Sequence, residues 1–171
     1  MFNLEAKFRL PDHAAARAAA LALGYRHEAV LVQRDTFFAV ATGKLKLREE
    51  SRDDAPPRST LIGYGRVERD GLQLSEYQIV AVPDGPALRS LLAGTLGIRA
   101  TVAKRRTLLL HRHVRLHLDE VDGLGLMGEI EAVVPDGGDP EAERAIVEAT
   151  LAALGVDRSE LIEGSYFEMA R

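Results

Sequence analysis

Three segments of the chain alternate strictly between polar and apolar residues and carry their charges on one side. They are Asn3–Leu10, His113–Asp119 and Glu129-Ile130-Glu131. Because successive side chains of a β-strand point to opposite faces, each segment predicts a strand with one charged and one apolar face. One such strand is typical of a solvated sheet. Several that carry both carboxylates and cations predict a polar cavity suited to a phosphate chain and a divalent metal, which favours an enzyme acting on a triphosphate.

Composition narrows the class of protein. The 171 residues, 46% hydrophobic and 28% charged, predict one globular domain spanning 1–171. A net charge of -4 provides no overall basic surface for nucleic acid. Cysteine is absent, which excludes disulfides, thiolate metal sites and a cysteine nucleophile. Apolar runs are too short for a membrane span and the first residues enter a charged strand, so the expected location is the cytoplasm, without membrane association.

Periodicity and capping residues predict eight strands and three helices. The strands are expected at 2–10, 30–40, 44–50, 61–68, 72–82, 101–111, 113–121 and 127–134. The helices are expected at 14–23, 84–96 and 139–154, and a helical turn within 157–170. Residues 51–59, which include two aspartates and two prolines, predict a mobile loop.

The polarity of the strands sets the expected architecture. Short connections favour antiparallel pairing. Apolar residues lie opposite the charged positions, namely Leu45, Leu47, Leu116, Leu118 and Ile130. We therefore expect an α+β fold in which an eight-stranded antiparallel β-barrel has a charged lumen and an apolar outside covered by flanking helices.

Two carboxylates on one strand suggest a metal site. Glu129 and Glu131 are expected about 7 Å apart, where they would repel by roughly 2 kcal/mol at an effective dielectric near 20. A cavity could hold them only with a counter-cation, and hard oxygen ligands suit Mg²⁺ or Mn²⁺. Asp119 and Glu5 could complete the site. The alternative is a solvated, salt-bridged sheet face.

Cations recur at i, i+2 spacing on the predicted strands. Arginine matches phosphate oxygens with a planar fork and lysine supplies a point charge, so a polyphosphate site needs several of each. Taken singly, such pairs are ordinarily exposed strand charges. The candidates are Lys7, Arg9, Lys44, Lys46, Arg48, Arg66, Lys104, Arg106 and Arg115. The P-loop and the glycine-rich dinucleotide fingerprint are both missing from the sequence, so a phosphate site must be built from side chains.

The sequence leaves two alternative roles open for the Asp35-Thr36 pair and for His117. Asp35 and Thr36 could orient a phosphate ligand or form a plain turn. His117 shares a face with Arg115 and Asp119, so it could assist proton transfer or be a hydrogen-bonded wall residue.

At these residues the chain resembles the CYTH family, the triphosphate tunnel metalloenzymes, whose members include class IV adenylyl cyclases, thiamine triphosphatases and inorganic tripolyphosphatases. The matching blocks occur in the family's order. They are Asn3–Lys7, Asp35-Thr36-Phe37, Leu45–Glu49, Tyr64–Arg66, Lys104–Arg106, Arg115–Glu131 and Ser165-Tyr166. The block from Arg115 to Glu131 is most similar to the class IV cyclases.

The resemblance implies an eight-stranded barrel that forms a triphosphate tunnel, with Mg²⁺ or Mn²⁺ as cofactor and a homodimer as the assembly. It implies metal ligands at Glu5, Asp119, Glu129 and Glu131, and catalytic roles for Lys7, Arg115, Glu129 and Glu131. It implies triphosphate contacts from Lys7, Lys46, Arg48, Arg66, Lys104, Arg106 and Arg115. One departure is Asn3, which stands where the family has glutamate. Since an amide brings no charge, a second metal is expected to bind more weakly than in members with glutamate.

The leading functional interpretation is a class IV adenylyl cyclase-like phosphorus–oxygen lyase, which converts ATP to cyclic AMP and pyrophosphate. The same site could instead hydrolyse tripolyphosphate or a thiamine or nucleoside triphosphate. A third interpretation is a triphosphate-binding module without catalysis, in which Asn3 marks lost metal chemistry.

Overall fold

The computed structural model describes residues 2–53, 55–69, 72–134, 140–162 and 164–169. Side chains are described for the same residues except 2–4, 65–69, 72–77, 133, 134 and 140. Eight strands form one sheet in the order β1-β8-β7-β6-β2-β3-β4-β5. The strands are β1 Phe2–Arg9, β2 Arg26–Phe38, β3 Lys44–Arg52, β4 Ala55–Arg69, β5 Leu72–Val82, β6 Ile98–His111, β7 Val114–Val121 and β8 Gly125–Val134.

Four α-helices accompany the sheet: α1 His13–Ala22, α2 Gly85–Leu96, α3 Pro140–Ala153 and α4 Tyr166–Met169. A short 3-10 helix, Arg158–Glu160, precedes α4. Asp12 begins α1 because its carboxylate accepts the amide of Ala15 at 2.8 Å. Asp84 caps α2 in the same way through the amide of Ala87. Within the described residues, no helix is long and apolar enough to cross a membrane.

The chain divides into two compact units, and the first comprises residues 1–31 and 104–171. Its core lies on the apolar face of β1, β6, β7 and β8, where Phe8, Leu116 and Ile130 are fully buried. Helices α1 and α3 cover this face through Ala20 and Leu151. The opposite face carries the charges. The alternation in the sequence therefore becomes two surfaces, one sealed by helices and one lined by polar groups.

The second unit comprises residues 32–103. Strands β3, β4 and β5 pair antiparallel in sequence order, and α2 packs against β3 and β4. Phe38, Leu47 and Val102 are buried here. Helix α2 approaches the sheet closely at Gly85, where an added Cβ would lie 2.1 Å from Oγ of Ser59. The α2 end of the unit therefore tolerates no side chain at position 85.

The predicted eight-stranded antiparallel sheet with flanking helices is confirmed. Strands β1 and β5 are the two ends of the order, and no hydrogen bonds join them in the described part of the chain, so the sheet is not closed by hydrogen bonding. The fold prediction is thus correct in strand number and pairing direction. Strands β2 and β4 begin earlier than their patterns predict.

The prediction of a mobile loop at residues 51–59 is wrong. Strand β3 runs to Arg52 and β4 begins at Ala55. The strand pairing shifts register between Glu50 and Arg52, and β5 reaches only as far as Ser59. This irregular end of the ladder accommodates two prolines, which lack the amide that a regular ladder requires. The dipeptide Asp70-Gly71 predicts a turn between the expected strands 61–68 and 72–82, and it lies outside the described residues.

Gly128 allows β8 to lie against β1 in the first unit. It is paired with Phe8, and a Cβ at position 128 would lie 2.2 Å from the Phe8 ring. We expect Gly128→Ala to lower the free energy of unfolding by about 1–3 kcal/mol through overpacking. Urea denaturation would measure the change. The control is Gly63→Ala, because nothing lies within 4 Å of a Cβ there. Equal effects of the two substitutions would contradict this account of Gly128.

Candidate active site

The charged face of the first unit is a grid of cross-strand pairs. Glu5 of β1 lies opposite Glu131 of β8, which lies opposite Arg115 of β7. Lys7 lies opposite Glu129 in the same way. Because directly paired residues project from the same face of a sheet, the alternating pattern of three strands converges on one surface. Strand β6 adds Arg106, which is paired with Asp119.

Arg106 is the centre of the grid. Its Nε and Nη2 donate to the two oxygens of Asp119 at 2.7 and 2.6 Å, and Nη2 also donates to Glu129 at 2.8 Å. All three residues are buried, and Asp119 has no exposed surface. A guanidinium shared by two carboxylates satisfies buried charges that would otherwise be very costly.

The same contacts set the protonation states at the centre of the grid. Burial alone would raise the pKa of Asp119 and of Glu129, yet the pKa of each carboxyl lies below its ordinary value. For Asp119 the charge and hydrogen bonds of Arg106 outweigh burial. For Glu129 the neighbouring His117 and the charge of Arg106 together outweigh burial. Burial alone would lower the pKa of Arg106, and the two carboxylates instead raise it. The cluster is therefore fully ionised at neutral pH.

Two lysines flank this centre. Lys7 forms an ion pair with Glu5, and the ammonium of Lys104 lies 3.9 Å from Asp119. Both side chains are buried on their strands. Burial lowers the pKa of Lys7, and Glu129 partly opposes that effect. Two ammonium groups on one face form a point-charge surface of the kind that binds phosphate oxygens.

Glu5 and Glu131 form the more exposed edge of the grid. Their side chains are 40% and 20% exposed, and Glu131 accepts from Nη1 of Arg115 at 3.2 Å. Two carboxylates directly opposite each other on neighbouring strands repel, and their Cβ atoms are expected about 5 Å apart. A shared cation would relieve that repulsion. Arg115 is itself half exposed, so it can contact a ligand on this face.

The donor chemistry of this edge fits a hard divalent cation. Magnesium is usually held by one or two carboxylates together with substrate phosphates, which is what Glu5 and Glu131 can offer. In the described residues, no group of three or more His, Asp or Glu side chains is arranged to hold a metal ion. Asp119 is a poorer ligand in this arrangement, because both of its oxygens already accept from Arg106.

His117 is buried beside Glu129. Its Nδ1 lies 3.5 Å from a Glu129 oxygen, too long for a good hydrogen bond, and this nitrogen has no other partner among the described residues. Burial and the nearby Arg106 lower the pKa of His117, so the imidazole is neutral at pH 7. The wall-residue interpretation fits this environment better than proton transfer.

The second unit contains its own charged cluster. Asp35 of β2 is buried and accepts from Nε and Nη2 of Arg48 at 2.7 and 2.6 Å and from Lys46 at 3.0 Å. The Lys46 ammonium lies 5.5 Å from the centre of the Phe37 ring and 5.4 Å from that of Tyr64. Asp35 is thus an anchor for two cations within a strand, and the plain-turn interpretation of Asp35 and Thr36 is wrong.

The second unit also contains a buried carboxylate that the sequence analysis did not single out. Glu50 is buried and accepts from Nε of Arg58 at 2.7 Å and from Gln33. Thr36 is fully buried, and its hydroxyl has no hydrogen-bond partner in the described part of the chain. The even spacing from Lys44 to Glu50 was the available signal for Glu50, because it places that carboxylate on the same face as Lys46 and Arg48.

The candidate residues thus fall into two groups, each within one unit. The first unit brings together Glu5, Lys7, Lys104, Arg106, Arg115, Asp119, Glu129 and Glu131. The second unit holds Lys46 and Arg48. Arg66 lies on β4, but its side chain, like that of Asn3, is outside the described residues. The assignment of these residues to metal, substrate or catalysis stays a prediction.

The CYTH domain matches residues 1–166, and the chain therefore belongs to the CYTH family. The enzymes of this family act on triphosphates and depend on metal ions. A comparison with curated protein sequences found no match.

Several solved structures share the fold at low sequence identity. The PH1012 protein from Pyrococcus horikoshii OT3 aligns with a TM-score of 0.77 and 19% identity over 99% of this chain and 100% of its own. A Vibrio parahaemolyticus protein, provisionally named an adenylate cyclase, aligns with a TM-score of 0.70 and 18% identity over 99% of this chain and 97% of its own. A Hippeastrum protein aligns with a TM-score of 0.61 and 18% identity over 99% of this chain and 95% of its own. It is also provisionally named an adenylyl cyclase and is described as having a dominant triphosphatase activity.

Substitution of Arg106 would test how far the buried carboxylates of Asp119 and Glu129 depend on its guanidinium. We expect Arg106→Ala to lower the free energy of unfolding by about 3–5 kcal/mol at pH 7, because it removes the cation that is hydrogen-bonded to two buried carboxylates. In the wild type, the low pKa of each carboxyl stabilises the fold above the ordinary carboxyl pKa of about 4, and this contribution is lost in stronger acid. In the variant burial raises both pKa values, so the defect should shrink as pH falls from 7 to 5.

Urea denaturation at both pH values would measure this difference. The matched control is Arg105→Ala, since Arg105 is the adjacent residue, is 53% exposed and pairs at 3.6 Å with the exposed Glu120. An exposed pair contributes about 0.5 kcal/mol or less, so the control should change little at either pH. A defect in Arg106→Ala that grows on acidification would contradict the assigned protonation states.

Proposed function

We propose that this protein is a metal-dependent enzyme acting on a triphosphate, and that its reaction is the class IV adenylyl cyclase reaction, ATP to cyclic AMP and pyrophosphate. The observation that carries the proposal is the charged face of the first unit, where Lys7 and Lys104 flank the fixed Arg106 centre beside a pair of facing carboxylates. The likeness of the Arg115–Glu131 block to the cyclase subgroup supports the choice of reaction.

The side chains would divide the work as follows. Lys7, Lys104 and Arg115 bind phosphate oxygens and neutralise their charge. Arg106 uses Nε and Nη2 to hold Asp119 and Glu129, which leaves Nη1 as its group for a phosphate oxygen. Since both anions around Arg106 are buried, this centre is preorganised and needs no rearrangement when the substrate binds.

The metal would be held at the exposed edge. Glu5 and Glu131 would bind Mg²⁺ or Mn²⁺, which supplies charge neutralisation on the phosphate chain when bound. In the proposed reaction the ribose 3′-oxygen forms a bond to the α-phosphorus. The bond from the α-phosphorus to its bridging oxygen breaks, pyrophosphate leaves with that oxygen, and the 3′-hydroxyl proton passes to solvent. Orientation by the cations and charge neutralisation account for most of the catalysis.

Hydrolysis of a terminal phosphate is the second candidate. The partly exposed Glu5 and Glu131 leave carboxylate oxygens that can orient a water molecule. The described activity of the Hippeastrum protein supports this candidate, because that protein has the same fold and a dominant triphosphatase activity. The two reactions use the same phosphate and metal groups and differ in the nucleophile.

Product analysis would test the proposal. Purified protein would be incubated with Mg²⁺ or Mn²⁺ and either ATP or tripolyphosphate, and the products separated by ion-exchange chromatography. Cyclic AMP with pyrophosphate is the expected result. Orthophosphate from tripolyphosphate without cyclic AMP would replace the cyclase by a triphosphatase. Binding of both compounds without turnover would show a binding module instead.

A matched pair of substitutions would connect the activity to the charged face. We expect Glu131→Gln to lower kcat about 100-fold and to raise the Mg²⁺ or Mn²⁺ concentration needed for half activity, because one of two metal carboxylates loses its charge. Glu120→Gln should leave both unchanged, since Glu120 is 54% exposed and lies on the other face of β7. Equal activity of the two variants would exclude Glu131 from the metal site.

The family resemblance implies that Lys104 of the first unit and Lys46 of the second both bind the triphosphate. Kinetics of single substitutions would test this expectation. Lys104→Ala and Lys46→Ala should each raise the KM for the triphosphate about tenfold, because each removes one charge that binds phosphate. Arg105→Ala is the control. If Lys104→Ala alone raises KM, the second unit's cluster has another role, and Lys46 and Arg48 leave the predicted cradle.

A further inference from the structure

The chain segment after α3 is fastened to β1, an end strand of the sheet. The amide of Ile162 donates to the carbonyl of Lys7 at 2.7 Å and forms an isolated antiparallel bridge with it. Just before it, Asp157 and Glu160 form a reciprocal capping box that fixes the short 3-10 helix. Leu161 packs against the core of the first unit. The tail is therefore attached at the residue that supplies one of the candidate phosphate ligands.

A tight turn then directs two aromatic side chains into the unit. Gly164 has φ +94°, a conformation that favours glycine. Ser165 donates to Glu168 from its amide at 2.8 Å and from its hydroxyl at 3.0 Å, which holds the single turn of α4. As a result, Tyr166 and Phe167 are only 5% and 3% exposed. The position of Tyr166 is thus specified by local hydrogen bonds as well as by packing.

Tyr166 contacts the charged face at three points. Its hydroxyl donates to Oδ2 of Asp119 at 2.9 Å. The ammonium of Lys104 lies 5.0 Å from the centre of its ring, and that of Lys7 lies 6.0 Å away. Both distances are within the range of a cation–π interaction, which strengthens where the cation is desolvated. One side chain of the tail therefore touches two candidate phosphate-binding lysines and the carboxylate that holds Arg106.

We propose that Tyr166 is a positioning residue that holds Lys7, Lys104 and, through Asp119, Arg106 in the arrangement that binds the triphosphate, so that the tail is a working part of the site. This inference rests on the proposed function. The negative face of the ring attracts both ammonium groups and offsets the repulsion between them. The hydroxyl completes the hydrogen bonds of a fully buried carboxylate, which would otherwise have one fewer donor.

Two substitutions separate the ring from the hydroxyl. Tyr166→Phe keeps the ring, so we expect the affinity for tripolyphosphate to stay within about twofold of wild type. Its kcat should fall about tenfold, since Asp119 loses a donor and holds Arg106 less firmly. Tyr166→Leu also removes the ring, and the affinity should fall about tenfold as the lysines spread. Calorimetry with tripolyphosphate in the presence of EDTA would measure binding without metal.

Tyr25→Phe is the matched control. Tyr25 is also a buried tyrosine of the first unit, with one side-chain hydrogen bond of 2.9 Å, to Thr150 on the helix-covered side. The substitution removes a comparable buried hydroxyl, so it reports the general cost of that loss. It should leave tripolyphosphate affinity and kcat at wild-type values.

A ligand-free measurement tests the positioning itself. The sequence contains four lysines, Lys7, Lys44, Lys46 and Lys104, so the ε-methylene NMR signals can be assigned by single Lys→Arg changes. The ring of Tyr166 should shift the signals of Lys7 and Lys104, and these shifts should disappear in Tyr166→Leu and persist in Tyr166→Phe. Lys46 is an internal reference, because its ring neighbours are Phe37 and Tyr64, and its signal should not move.

The outcomes distinguish this inference from the proposed function. Lost lysine shifts and weakened tripolyphosphate binding in Tyr166→Leu, with neither in Tyr25→Phe, would support both. Lost shifts in a protein whose wild type turns over neither ATP nor tripolyphosphate with Mg²⁺ or Mn²⁺, and binds neither, would support the positioning role and overturn the triphosphate function. Unchanged lysine shifts in Tyr166→Leu, or wild-type binding and kcat in that variant, would overturn the role of Tyr166.

Discussion

The charged face of the first unit depends on one buried interaction, the guanidinium of Arg106 between the carboxylates of Asp119 and Glu129. Buried carboxylates are tolerated only where a cation and hydrogen bonds compensate the lost hydration. Arginine can do this for two anions at once because its donors form a rigid fork. Around this centre lie the buried ammonium groups of Lys7 and Lys104 and the half-exposed guanidinium of Arg115.

The same constraint explains why the two faces of the sheet differ. Helices α1 and α3 seal the apolar face of the first unit, where Phe8 packs over Gly128 and leaves no room for a side chain. The polar face cannot be sealed in that way, since its charges need partners rather than contact with hydrocarbon. The fold therefore places its hydrophobic core on one side of the strands and its buried ion pairs on the other. The CYTH family, to which the chain belongs, consists of enzymes that act on triphosphates.

Most of the fold was predictable, and the failures have local causes. Strict alternation located β1, β3, β7 and β8, because a sustained two-residue period is typical of half-buried strands and not of helices. It failed at residues 51–59, where Pro56 and Pro57 indicated a loop. The actual strands continue there because a register shift and the end of β5 remove the need for regular pairing. The Asp35 anchor was also underestimated, since nothing in the sequence around it showed that Lys46 and Arg48 would converge on it.

The order of residues along the chain was enough to establish which side chains carry charge, which strand face they occupy and, through the order of the motifs, the family. These properties are local, because side-chain direction along a strand follows from the two-residue period. Which charges meet became known only from the folded protein. The cross-strand register pairs Glu5 with Glu131, and the tail brings Tyr166 to Asp119 from 47 residues away along the chain. Such contacts depend on register and docking, which are set by the packing of the whole unit and leave no periodic trace in the sequence.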